Sequence, residues 1–151
     1  MGVNKFSDQS FEALPPELRV QVTEQWQVLA QQLTPSQQQL LTELNVMQSL
    51  PKVFASSEFV ANACLRDSAL LPRLLSAGKL LETVDVDWLQ TQLQLALQTV
   101  SNDVEFQSIL RVFRLQHMVR IAWRDIAGWV ELNETLLDLS NLTDVCVQAA
   151  Y

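Results

Sequence analysis

Two carboxylates one residue apart, Asp85 and Asp87, are the first candidates for chemistry in this chain. On a strand, alternation would place both side chains on one face, where they could hold the two metal ions of a nucleotidyl-transfer site. Such a site also needs a glycine-rich turn, and only a single glycine, Gly78, stands upstream. Because Asp87 leads directly into a helical pattern, we interpret the pair as helix-capping carboxylates.

Other catalytic patterns are incomplete. The segment 76–79 (SAGK) lacks the first glycine and the final Ser/Thr of a phosphate-binding loop. His117 is the single histidine, and the chain contains neither HExxH nor a Glu-x-x-His pair. Nothing marks a nucleophile elbow. We therefore assign no catalytic, cofactor-binding or metal-binding residue, and we expect His117 to be a surface histidine.

The segment 109–130 has a basic stripe on one side of a predicted helix. At 100° per residue, one sector collects Arg114, His117, Arg120 and Arg124. We regard these four residues as candidates for a domain interface or a partner contact. The predicted apolar face contains Val112, Leu115, Met118, Val119, Ala122, Trp123, Ile126 and Val130.

Two of these arginines, Arg120 and Arg124, repel each other at helical spacing, which indicates acceptors supplied from elsewhere. If the chain reverses direction at Gly128, the acids of the next helix approach them. We therefore predict pairing of the two arginines with Glu134 or Asp138. The alternative is that both arginines await an acceptor outside the chain.

The elements that position these residues are helical. The chain has 151 residues and 48% hydrophobic residues, but only 3 glycines and 5 prolines. This composition supports a packed core and offers few turns for an antiparallel sheet. We predict an all-α fold, an irregular array of about seven helices without a sheet. We expect a flexible leader over 1–14 and a single helical domain over 15–151.

Capping residues, prolines and glycines predict where the helices begin and end. We predict that Thr34 caps a helix with Pro35 in its first turn and that Pro51 stops this helix. We also predict that Gly78 follows a helix end and that Gly128 ends the longest helix. The predicted N-terminal caps are Ser57, Asp67, Asp85 or Asp87, and Asn102 or Asp103, and Asn133 is predicted to open the last helix.

The last helix is apolar around much of its circumference. We expect Leu132, Leu136, Leu139 and Cys146 to face inward, with Leu137, Leu142 and Val145 on other sectors. Such a helix requires neighbours on two sides. We therefore predict exposed apolar surface and self-association through the helix over about 133–150.

The net charge, the cysteines and the absence of targeting signals indicate which partners and which cellular compartment to expect. A net charge of −7 and a pI near 4.5 argue against binding to nucleic acid or to an anionic membrane. Cys64 and Cys146 stand far apart without a CxxC motif, as expected of reduced, buried thiols. We detect no signal peptide and no apolar run of membrane-spanning length, so we expect a cytoplasmic protein.

Three segments carry a family resemblance. Residues 114–128 (RLQHMVRIAWRDIAG) and 134–146 (ETLLDLSNLTDVC) resemble the helical region of the glutamine synthetase adenylyltransferase/adenylyl-removing enzymes. Residues 50–60 (LPKVFASSEFV) are similar to an early segment of that family. The run MVRIAWRD at 118–125 is the most specific part, and the resemblance covers roughly 15–151.

The resemblance implies a role in bacterial nitrogen control. Enzymes of this family adenylylate a tyrosine of glutamine synthetase with ATP and a metal such as Mg²⁺, and they remove the AMP by phosphorolysis. A PII signalling protein and glutamine control them. Their catalytic domains carry a glycine-rich turn and a Ser-Asp-x-Asp motif, which this chain lacks.

By the same resemblance, we expect this chain to be an N-terminal helical segment that precedes and supports the adenylyl-removing nucleotidyltransferase domain. It should be inactive alone. The alternative is a free-standing helical module for protein interaction, without catalytic activity.

Overall fold

A computed structural model describes residues 8–43, 46–77 and 79–151. These residues form nine α-helices and no strand, which confirms the predicted all-α fold. The chain divides into two compact units, Met1–Gly78 and Lys79–Tyr151. In the described part of the chain, no helix is both long enough and apolar enough to cross a membrane.

Six helices belong to the first unit. They are α1 (Asp8–Glu12), α2 (Pro16–Gln32), α3 (Pro35–Glu43), α4 (Val46–Ser56), α5 (Glu58–Arg66) and α6 (Leu70–Ser76). Helix α4 is central, because it contacts α1, α2, α3 and α5. It also buries most of its side chains, including Leu50, Val53 and Phe54.

The prediction that Pro51 stops a helix is wrong. Pro51 lies inside α4, where it is buried, and the helix continues to Ser56. A proline in a helix interior removes a backbone donor at a cost of about 3 kcal/mol. Burial of each large apolar side chain contributes about 1.5–3 kcal/mol, so neighbours such as Leu50 and Phe54 outweigh that cost.

The count of about seven helices is too low for two reasons. Helix α1 lies within the segment predicted to be a leader, and its Phe11 is buried. The segment predicted as one helix after Thr34 forms both α3 and α4. Residues 1–7 of the predicted leader, and Gly78 with its predicted position after a helix end, lie outside the described residues.

Two of the three caps predicted for the first unit are confirmed. Thr34 caps α3, since its hydroxyl accepts a hydrogen bond from the Gln37 N–H at 3.2 Å. Ser57 caps α5, since its hydroxyl accepts a hydrogen bond from the Val60 N–H at 3.1 Å. Asp67 does not cap α6, which begins at Leu70. Its carboxylate accepts instead from the Ala69 N–H at 3.1 Å and pairs with Arg73 at 2.6 Å.

The second unit is built from three helices that contact one another pairwise. They are α7 (Val86–Leu97), α8 (Asp103–Ile126) and α9 (Leu132–Ala150). Asp85 caps α7 by accepting from the Trp88 N–H at 2.8 Å, and Asn102 caps α8 by accepting from the Glu105 N–H at 2.9 Å. Buried members of their shared core are Val84, Leu89, Leu93, Phe113, Ile121, Leu142, Val145 and Cys146.

The chain reverses between α8 and α9 at Gly128, as predicted. Gly128 has a φ of 78°, a left-handed conformation that side chains with a Cβ disfavour. Its N–H donates to the Asp125 carbonyl at 3.1 Å, and the Trp129 N–H donates to the Arg124 carbonyl at 3.0 Å. Helix α9 begins at Leu132, one residue before the predicted start at Asn133.

Candidate functional site

The second unit contains a buried arginine pair, Arg120 and Arg124, one turn apart on α8. Arg120 is 1% exposed. Its Nε donates to the Lys79 carbonyl at 3.0 Å, and its second terminal nitrogen donates to the Glu82 carbonyl. One guanidinium thus satisfies two backbone acceptors of the non-helical segment that precedes α7.

Arg124 binds the same segment and also reaches α9. Its Nη1 donates to the Leu80 carbonyl at 2.8 Å, and its Nη2 lies 3.4 Å from Glu134 Oε2. The other Glu134 carboxylate oxygen accepts from the Thr83 hydroxyl at 3.2 Å. Glu134 therefore joins α8, α9 and the segment before α7.

The Arg120–Asp138 contact is longer. Arg120 Nη1 and Asp138 Oδ2 are 4.0 Å apart, which is an ion-pair distance beyond hydrogen-bond range. Burial raises the pKa of Asp138 and outweighs the neighbouring Arg120 guanidinium, which lowers it. Burial, and then the charge of Arg124, lower the pKa of Arg120. Together the contacts of Arg120 and Arg124 confirm the predicted pairing with the acids of the last helix.

His117 is not the surface histidine that we expected. It is 2% exposed, and its ring centroid lies 4.5 Å from that of Phe113 and 5.8 Å from that of Trp88, the latter edge-on. Its Nδ1 is buried without a hydrogen-bond partner. Burial and then the charge of Arg120 lower the pKa of His117 to about 4, so the imidazole is neutral at pH 7.

The predicted faces of α8 are therefore partly wrong. Among the four basic-stripe residues, only Arg114 is exposed. Val112 and Leu115 were predicted on the apolar face, yet they are 53% and 38% exposed. The helix turns its arginines inward because a non-helical segment supplies carbonyl acceptors, which the hydrophobic pattern does not reveal. Whether the stripe contacts a partner stays a prediction.

The inward face of α9 also differs from the prediction. Leu132 and Leu136 are exposed, whereas Leu142 and Val145 are buried. The predictions for Leu139, which is half-buried against the core, and for Cys146, which is buried, are confirmed. Asp138 lies on the inward face beside Arg120, so this face of α9 is partly polar.

The arrangement is suited to positioning rather than to proton transfer. Its histidine is neutral and enclosed. Both guanidinium groups donate to carbonyl or carboxylate acceptors, while Nε of Arg124 is buried without a hydrogen-bond partner. The described residues contain no group of three His, Cys, Asp or Glu side chains that could hold a metal ion. Asp85, interpreted from the sequence as a capping carboxylate, caps α7 with its side chain.

Comparisons with known proteins agree with the resemblance. The family model described as glutamate-ammonia ligase adenylyltransferase matches residues 47–151. A bifunctional glutamine synthetase adenylyltransferase/adenylyl-removing enzyme of Nitrosococcus oceani is 38% identical over 104 residues, which are 69% of this chain and 11% of that protein. The similarly named protein of Shewanella loihica is 33% identical over 141 residues, 93% of this chain and 14% of that protein.

A third relative of the same name, from Psychromonas ingrahamii, is 40% identical over 96 residues, 63% of this chain and 10% of that protein. No solved structure matches this chain. The chain spans between 10% and 14% of the length of these three relatives. With the family model matching more than half of its residues, the chain belongs to the glutamate-ammonia ligase adenylyltransferase family.

Proposed function

We propose that this chain is the N-terminal helical segment of a bifunctional enzyme that adenylylates and deadenylylates glutamine synthetase. The observation that carries the proposal is the family match across 47–151, which includes all three helices of the second unit. The proposed reaction is taken from the names of the relatives. This chain matches only 11% and 14% of the length of two of them, which supports its assignment as a segment of a longer enzyme.

The role of the segment is to support the adenylyl-removing catalytic domain. An active site needs a rigid supporting shell, because small displacements of catalytic groups cost rate. The buried arginine pair provides such rigidity, since Arg120 and Arg124 tie the segment before α7 to α8, while Glu134 connects both to α9. ATP and Mg²⁺ would bind to the catalytic domains of the full enzyme. Glutamine synthetase and a PII signalling protein are the proposed partners.

A chimera tests the proposal. In it, this chain replaces the aligned 141 residues of the Shewanella loihica relative. The chimera should adenylylate glutamine synthetase and remove its AMP at rates within about tenfold of the parent. The chain alone, mixed with adenylylated synthetase, phosphate and Mg²⁺, should do neither, because two-metal phosphoryl transfer needs clustered metal-binding carboxylates. Among the residues that the structure describes, no such cluster is present.

Two results would contradict the proposal. One is a folded chimera that lacks both activities. The other is turnover by the isolated chain that depends on Asp85 and Asp87, which would return these residues to catalysis. The variant Asp103→Asn serves as the matched control, since Asp103 is an exposed carboxylate in the first turn of α8.

A further inference from the structure

A groove lies in the first unit where α2 ends and α3 begins. Its volume is about 310 Å³, which is room for one side chain or a small ligand. The residues that line it are Gln27, Ala30, Gln31, Leu33 and Gln38. The groove thus combines carboxamide side chains with apolar ones, and none of its lining residues is charged.

The hydrogen-bond donors beside the groove are already used within the protein. Gln38 Nε2 donates to the Ala30 carbonyl at 2.8 Å and to the Leu33 carbonyl at 3.5 Å, so Oε1 is the part of this amide that can still bind a ligand. At the start of α3, the Thr34 N–H donates to Gln37 Oε1 at 2.9 Å, and the Gln37 N–H donates to the Thr34 hydroxyl at 3.2 Å.

Acceptors remain at the end of α2. The Gln31 carbonyl belongs to its last turn, where helix carbonyls lack intrahelical partners. The N–H groups that normally reach such a carbonyl belong to the residues three and four positions later. The first, Thr34, donates to Gln37, and the second, Pro35, has no N–H. The exposed amides of Gln27 and Gln31 can also turn an oxygen toward a ligand, so the groove is rich in acceptors and poor in donors.

Charge favours a cationic donor over a neutral one. The C-terminal end of a helix carries partial negative charge, and the last turn of α2 has no basic residue. Among the charged residues of α2, the exposed Glu24 is nearest to the groove, one turn before Gln27. The bases of the helices that pack against α2 and α3 are not among the lining residues; they are Lys52, Arg66 and Arg73.

We propose that this groove binds a guanidinium group on an aliphatic stem. A guanidinium has five N–H donors in a planar fork and no acceptor, which suits several separate oxygens. Ala30 and Leu33 supply apolar contact for the stem. This inference goes beyond the proposed function, because it stands on the end of α2 and the start of α3 and not on the reaction of the enzyme.

The test is a nitrogen-15 NMR titration of the full 151-residue chain with acetyl-Gly-Arg-Gly-amide. The side-chain amide resonances of Gln27, Gln31 and Gln38 should shift together, with a millimolar dissociation constant that rises with added salt. The same peptide with citrulline in place of arginine keeps the shape but loses the charge, and it should bind at least about fivefold more weakly.

Butylguanidinium, titrated in parallel, identifies the source of the guanidinium. Binding at least about threefold weaker than that of the peptide assigns the groove to an arginine side chain of a polypeptide, because the peptide adds contacts around the stem. Equal or tighter binding assigns it to a small free guanidinium compound.

Substitutions at Gln31 should have opposite effects. Gln31→Glu should tighten binding of the arginine peptide about threefold, and Gln31→Lys should weaken it at least about fivefold, since each places a charge beside the guanidinium. The matched controls are Gln148→Glu and Gln148→Lys, at an exposed glutamine of α9 in the other unit, and they should leave the affinity unchanged. Circular dichroism confirms that each variant is folded.

Four results would overturn the proposal. They are the absence of any shift with the arginine peptide, equal affinity for the arginine and citrulline peptides, and an affinity that Gln31→Lys does not change. The fourth is a set of shifts that follows exposed acids such as Asp85 and Asp87 instead of the groove, because a chain of net charge −7 attracts cations without a specific site.

Discussion

The Lys79 carbonyl accepts a hydrogen bond of 3.0 Å from Nε of Arg120, 41 residues later in the chain. Lys79 has a φ of 55°, a left-handed conformation that costs free energy in a residue with a Cβ. The Lys79 ammonium also lies 5.2 Å from the centroid of the Trp88 ring. Arg120 thus binds the segment before α7 at a point where its backbone adopts an uncommon conformation.

Reversing the charge of Glu134 should destabilise the second unit. Glu134→Lys removes the acceptor of the Thr83 hydroxyl and places a cation beside Arg124, which is 6% exposed and 3.4 Å from the present carboxylate. We expect a loss of about 1–2 kcal/mol and a melting temperature lower by several degrees. Differential scanning calorimetry measures the melting temperature.

The matched control for that variant is Asp144→Lys, an exposed acid on the same helix. It should change the melting temperature by less than a degree or two. If Glu134→Lys and the control have the same melting temperature, the Arg124–Glu134 contact contributes nothing measurable to stability.

Because His117 is buried in its neutral form, the folding stability should decrease as the pH falls. Its pKa is lowered to about 4 in the folded state, against an ordinary value near 6.5, so the unfolded chain binds the proton more readily. The stability is therefore full above pH 6.5 and is lost as the pH falls from 6.5 toward 4, by up to about 3 kcal/mol.

Two measurements test the lowered pKa of His117 and its effect on stability. As the chain has a single histidine, its NMR ring resonance follows one titration, which should have its midpoint well below pH 5.5. The difference in unfolding free energy between the wild type and His117→Phe isolates this proton from Asp138, whose raised pKa acts in the opposite direction. A midpoint near 6.5 would show that the imidazole is not enclosed.

Gly128→Ala should destabilise the turn between α8 and α9. A Cβ at this position meets no atom within 4 Å, so the cost arises only from the φ of 78°. We expect about 1 kcal/mol, measured by urea unfolding. Gly128→Asn should cost less, because asparagine adopts the left-handed conformation more readily. Equal stability of the alanine variant and the wild type would contradict this backbone argument.

Local signals predicted much of the fold. Ser57, Asp85 and Asn102 cap helices through their own side chains, and Gly128 ends α8, since these effects involve only residues within one or two turns. The pairing of Arg120 and Arg124 with α9 was also predictable, because a short reversal brings facing positions of two neighbouring helices together.

The acceptors of the arginines were not predictable. Every residue has a backbone carbonyl, so nothing in the sequence marks Lys79, Leu80 and Glu82 as the ones that α8 binds. Charged and imidazole side chains ordinarily indicate a solvated face, which is why the burial of His117 was missed. Burial of an arginine becomes favourable only when tertiary packing supplies several acceptors at once.

The substitution Arg120→Met tests most directly whether the buried arginine holds the second unit together. Methionine keeps most of the side-chain volume but leaves the Lys79 and Glu82 carbonyls without their donor and Asp138 without its cation. Urea unfolding should show a loss of about 3–5 kcal/mol, while Arg114→Met, at an exposed position of the same helix, should change the stability by less than about 0.5 kcal/mol. An Arg120→Met protein as stable as Arg114→Met would contradict the account.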